Sequence, residues 1–114
     1  MIILDATTKS LEFKLGGAVT TNHLPFTASY VDISQITFAL TGVGSSDGQD
    51  NAGTAVTVVA APAANTSRQI KFISIPNLDT VAAVVTVQLN DNGTARVIWK
   101  GTLAIGDNLI YTEL

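Results

Sequence analysis

The stretch that most limits the fold runs VVTVQL-NDNGT-ARVIWK, from Val84 to Lys100. Two runs rich in β-branched residues flank a short polar loop containing Asn-Gly, a strong local signal for a β-hairpin. Asn92 and Gly93 tolerate the positive φ angles of such a loop, where a β-branched residue would be strained. On the outgoing strand, alternation puts Val85, Val87 and Leu89 on one face and Thr86 and Gln88 on the other. On the return strand it groups Ala95, Val97 and Trp99 against Arg96, Ile98 and Lys100.

The rest of the chain reads in the same period. Met1 to Leu4 is a short apolar run, ended by polar residues from Asp5 to Thr8. Leu11-Glu12-Phe13-Lys14-Leu15 alternates cleanly and predicts a half-buried strand with a wet face, at a sheet edge or on an outer sheet. Ala18 to Phe26 reads as an extended connection, and Ala28 to Leu40 as two strands or one bent strand. Thr41 to Thr54 (TGVGSSDGQDNAGT) is glycine-rich with small polar partners, which predicts a long flexible loop over 41–54. Ala55 to Ala60, Arg68 to Ile75 and Leu109 to Thr112 complete the strands, separated by turns at Pro62, Pro76 and Gly106. No segment sustains a helical period, and Thr80 to Val87 favours strand through its Val and Thr content. About eight short strands joined by short connections predict an all-β fold. The expected form is one domain over 1–114, an antiparallel β-sandwich or jelly-roll-like barrel.

Composition narrows the function. Charged residues make up only 13% of the chain, about half of the ~25% usual in globular proteins. A surface so poor in charge exposes Thr, Ser, Asn, Gln, Gly and Ala, which suits packing against other subunits. The net charge is -3 and the six basic residues are scattered, so no basic stripe points to nucleic acid. Without cysteine there is neither a disulfide nor a thiolate metal site. The opening MIILDATTK lacks the basic start of a secretion signal, and no apolar run approaches the ~18 residues of a membrane span. The expectation is a soluble protein made in the cytosol.

No constellation of residues carries chemistry. His23 is the single histidine, and no serine sits in a Gly-x-Ser-x-Gly elbow, so a loop histidine beside Pro25 is the favoured reading. Asp47, Asp50 and Asn51 offer oxygen ligands without the order of a calcium loop, and Asn90 to Asn92 are explained by the hairpin. Glu12, Glu113 and the aspartates select no glycosidase pair, since aspartate is ordinary at turns. The glycosylation patterns at Asn65 and Asn92 read as coincidence. Trp99 reads as a core or interface anchor. No catalytic, cofactor-binding or metal-binding residue is assigned.

LDATTKSLEFKLGGAVTTNHLPFTASYVD, AAPAANTSRQIKFISIPNLDT and VTVQLNDNGTARVIWKGTLAIGDNLIYTE together resemble a group of small tailed-bacteriophage virion proteins. The shared pieces are Leu4 to Ala6, Leu24 to Asp32, Arg68 to Lys71 and Thr102 to Tyr111, in one order. The resemblance implies a non-enzymatic virion structural protein made in the host cytoplasm. The leading expectation is a capsid decoration or cement subunit, with the major capsid protein or other virion proteins as partners. A homo-oligomer, possible as a trimer, suits sites of local symmetry; neither nucleic acid nor a membrane is implied. The expected contact elements are Met1, Ile2, Ile3, Leu4, Leu11, Phe13, Leu15 and Trp99. The alternative is a tail-fibre or tail-tip domain that takes host-surface glycan through the glycine loop, Tyr30 and Trp99.

Overall fold

Alternation along each strand sorts the chain into two facing sheets in a computed structural model that describes residues 1–113. The strands are β1 (Ile2–Leu4), β2 (Lys9–Leu15), β3 (Pro25–Ser34), β4 (Leu40–Gln49) and β5 (Val56–Val59), followed by β6 (Thr66–Pro76), β7 (Ala83–Asp91), β8 (Thr94–Leu103) and β9 (Asn108–Thr112). One sheet runs β1-β6-β3-β4, with β9 pairing β6 beyond β1; the other runs β5-β2-β7-β8. Every pairing is antiparallel. The expected β-sandwich is what the chain forms.

The core fills the space between the sheets. Leu11, Phe13 and Leu15 of β2, with Val85 and Val87 of β7, face Phe26 and Ala28 of β3 and Ile70, Ile73 and Ile75 of β6. Phe13 and Phe26 meet edge to face across the gap, with centroids 5.6 Å apart and planes at 75°. This arrangement sets the positive ring edge against the negative face. The expectation that Leu4, Leu11, Phe13 and Leu15 make partner contacts is therefore corrected: all four are buried and have no surface to offer. β2 is also a central strand, not an edge. Its supposedly wet face is crowded, since Glu12 sits against the neighbouring strands with Thr86 and Gln88 and is itself buried.

The predicted flexible loop at 41–54 is largely a strand. β4 pairs residue by residue with β3, from Pro25 opposite Gln49 to Ile33 opposite Leu40. Two of its glycines lie beneath aromatic rings of β3, Gly44 opposite Tyr30 and Gly48 opposite Phe26. A Cβ on Gly44 would come within 2.5 Å of the Tyr30 hydroxyl, and one on Gly48 within 2.8 Å of the Phe26 ring. The aromatic side chains lie across the edge strand and supply the apolar cover that its own residues lack.

The hairpin at Asn92-Gly93 forms as expected, with φ of 51° and 90° and the Asn90 Oδ1 accepting the Gly93 amide at 2.8 Å. The phase of its return strand does not hold. The register shifts between Val87, opposite Trp99, and Gln88, opposite Val97, so Ile98 is an extra residue. This bulge turns Trp99 inward against the core while Val97 stays on the outer face, 60% exposed.

The aromatic cover over β4 is testable by urea unfolding. Gly48→Ala should lower stability by about 1–3 kcal/mol through the forced shift of Phe26. Gly42→Ala, where a Cβ meets nothing within 4 Å, should stay within about 0.5 kcal/mol of the wild type.

Candidate functional site

The two ends of the sandwich differ in kind. At one end the β2–β3, β4–β5, β6–β7 and β8–β9 connections meet, tied by three buried polar side chains, Asp50, Asn77 and Asp79. Asp79 accepts the amides of Thr20, Thr21 and Thr80 at 2.8 Å and of Asn22 at 3.1 Å. Asn77 donates to the carbonyls of Val81 and Leu103 at 3.0 Å, and its own Oδ1 accepts the Asp79 amide. Asp50 accepts the Leu24 amide at 2.6 Å and the Ala52 amide at 3.0 Å, and lies 3.2 Å from the His23 Nδ1. His23 thus has a carboxylate partner that sequence spacing does not reveal. These carboxylates are occupied by the backbone and sit in separate loops, and no cluster of three potential metal ligands occurs among the described residues.

The β3–β4 turn at the opposite end is built to present apolar side chains. Ser34 Oγ accepts the amides of Ile36 and Thr37, each at 3.1 Å, while its own amide and carbonyl bond to Ala39 and Phe38. Gln35 Nε2 donates to the Asp5 carbonyl at 2.9 Å and so anchors the turn to the β1–β2 connection. On this rigid base Phe38 is 80% exposed and Ile36 71%. Phe38 also has a φ of 60°, a left-handed conformation that is uncommon for a bulky side chain and that glycine or asparagine adopts at less cost. The apolar surface continues onto the outer face of the β1-β6-β3-β4 sheet. Leu40 pairs with Ile33, and Val43, Val31, Gln69 and Ile3 form a row across four strands. The charges around it are paired, Lys71 with Glu113 at 3.2 Å and, beside the turn, Lys9 with Asp5 at 2.8 Å.

Behind this turn, on the inner face, Arg68 makes a two-pronged bond to Asp32, Nε to Oδ1 at 2.8 Å and Nη2 to Oδ2 at 3.0 Å. Its guanidinium lies 4.0 Å from the Tyr30 ring centroid, a cation–π contact. The planar fork fits a carboxylate at two points, and a lysine could not reproduce this. Of the expected contact residues, Met1 and Ile3 are exposed, Ile2 and Trp99 are half-buried, and the other four lie in the core. At this turn and the sheet face beside it, sequence reading missed the exposed residues Ile36, Phe38, Leu40 and Val43. In the sequence Ile36 and Phe38 alternate with Gln35 and Thr37 as a half-buried strand would, so no local signal marks them as presented.

No protein-family model, curated protein or solved structure matches the chain. The site is therefore read from its own geometry.

Asp79 gives a pH test. The Thr20 amide, followed by those of Asn22, Thr21 and Thr80, holds its carboxyl well below the ordinary value of 3.8, against the opposing effect of desolvation. A carboxyl depressed in the folded state adds stability that is fully present above the unfolded value and is lost as pH falls toward the folded one. Stability should therefore decline as the pH drops below about 5, where the unfolded chain begins to take up the proton first. Asp79→Asn should be less stable at pH 7 and show a shallower decline, as measured by urea midpoints across the pH series.

Proposed function

We propose that the protein is a non-enzymatic structural subunit of a bacteriophage virion, a capsid decoration or cement protein that stabilises the shell through subunit contacts. The observation that carries this reading is the rigid β3–β4 turn, which holds Ile36 and Phe38 in solvent. A bulky ring kept in a left-handed conformation by a bonded scaffold contributes little to folding. Such strain persists where the presented side chain has a use. Fixing the turn in advance lowers the entropy lost on binding, and an apolar, charge-poor surface suits a protein neighbour.

Two further observations support the phage context. The segments that carry the resemblance to virion proteins meet in space, because Tyr30 and Asp32 belong to one and Arg68 to another. The low charge of the surface fits repeated contacts among identical subunits, in a homo-oligomer or with the major capsid protein. The alternative, a tail-fibre or tail-tip domain that binds host glycan, calls for open aromatic faces. Tyr30 is covered by Arg68 and packs on Gly44, and Trp99 packs against the core. That reading has less to support it.

Quantitative mass spectrometry of purified particles against the major capsid protein tests the proposal. Copies comparable to the capsid protein support a decoration role. A few to a few dozen copies place the protein in the neck, tail or fibres, and its absence from the particle sinks the structural reading altogether. Phe38→Asn should keep or raise the melting temperature of the free protein, since asparagine tolerates the left-handed conformation. The same variant should lower the copies retained on the particle at least several-fold.

A further inference from the structure

The open side of the sandwich, between β8 and β9, carries a second surface unlike the β3–β4 turn. The two sheets have four edges: β1, of three residues, and β9, of five, share one, and β5, of four, forms another. β4 is long but is tied to β5, where the Ser46 hydroxyl donates to the Val58 carbonyl. β8 is ten residues long and pairs only with β7. Among the described residues, nothing else hydrogen-bonds to its backbone from Thr94 to Thr102. Alongside this free edge runs an apolar groove of about 370 Å³, lined by Ile2, Ile98, Trp99, Leu109, Ile110 and Tyr111 among others.

A free strand edge is a template for another strand, and a groove beside it receives the alternate side chains of that strand. We infer that β8 accepts an extended, acidic segment of a partner protein as an added strand, with apolar side chains entering the groove. Charge selects this occupant. Arg96 and Lys100 are exposed on β8, make no ion pair among the described residues, and no acidic residue lies on the strand. A second copy of the chain paired about Ile98 fits poorly. Antiparallel pairing of two β8 strands centred on Ile98 places Arg96 of each copy opposite Lys100 of the other, and directly opposed like charges are destabilising. A strand running alongside would span the two cations much as Thr86 and Leu89 of β7 do, and carboxylates at that spacing would meet both. A small apolar molecule could enter the groove, but it would leave the backbone edge unpaired. This inference concerns a site separate from the β3–β4 turn and stands whatever the protein's place in a particle.

Trp99 is the sole tryptophan and lines the groove, so its emission reports occupancy directly. Random decapeptides should be displayed against the whole protein, and the enriched sequences synthesised and titrated by Trp99 fluorescence. Enriched peptides should carry two Asp or Glu residues three positions apart among apolar residues and should slow amide exchange over 94–102. Their affinity should fall at least tenfold when alternate peptide amides are N-methylated, and equally in the Arg96→Glu/Lys100→Glu variant. If that variant does not melt like the wild type, Arg96→Gln/Lys100→Gln replaces it, with a smaller loss expected in the same direction. Four results would overturn the inference. No peptide enriches; peptides bind the charge-reversed protein equally well; N-methylation has no effect, so that the groove takes apolar groups alone; or exchange over 94–102 slows with protein concentration in the absence of peptide, so that a second copy fills the edge.

Discussion

A chain that crosses repeatedly between two sheets must bend at the sandwich ends without burying unpaired amides. Here that constraint is met by three side chains. Asp79 gathers the amides that follow β2, Asn77 reaches from the β6–β7 connection to carbonyls at the end of β8, and Asp50 binds the amides on either side of β3 and β4. A buried polar group without a partner costs about 1–3 kcal/mol, so each acceptor removes several such liabilities at once. The sheets then meet in a fixed register, and the Phe13–Phe26 contact depends on it. This end is committed to the fold, and its carboxylates are not free for chemistry.

Local signals were legible where they were complete within a few residues. Asn92-Gly93 announces its own turn, and Leu11, Phe13 and Leu15 announce a buried face, because sequence spacing alone decides both. What alternation could not say is what the buried face meets. The same pattern fits a core or a partner, and only the opposing β3 and β6 residues decide for the core. β4 was illegible for a related reason. Its glycines look like loop because the apolar cover belongs to Tyr30 and Phe26, far away in sequence. Trp99 packs on the core as an anchor should, but Val97 was misplaced beside it because a single bulged residue, Ile98, reverses the phase between them.

The candidate site was the least legible part. Exposed apolar residues in a short turn look, in sequence, like the end of a strand, and Ala28 to Leu40 was read so. The hydrogen bonds from Ser34 and Gln35 separate a presented turn from a frayed strand. The Gln35 bond reaches the backbone of the β1–β2 connection, which no pattern around residue 35 contains.

The two ends of the molecule therefore divide the work, and the division follows from chain geometry. Four of the connections between sheets meet at one end and are held there by buried acceptors, while the hairpins within a sheet close on themselves and leave their tips free. The β3–β4 and β7–β8 turns are the two hairpins of this topology, and both lie opposite the stapled end. The β7–β8 tip is small and polar, and its Asn92 amide bonds the Thr8 carbonyl. The β3–β4 tip keeps a phenylalanine where asparagine would be at ease. In a protein with so little charge on its surface, a strained ring held in water is the feature least explained by folding. On the proposed function, a contact made on assembly accounts for it.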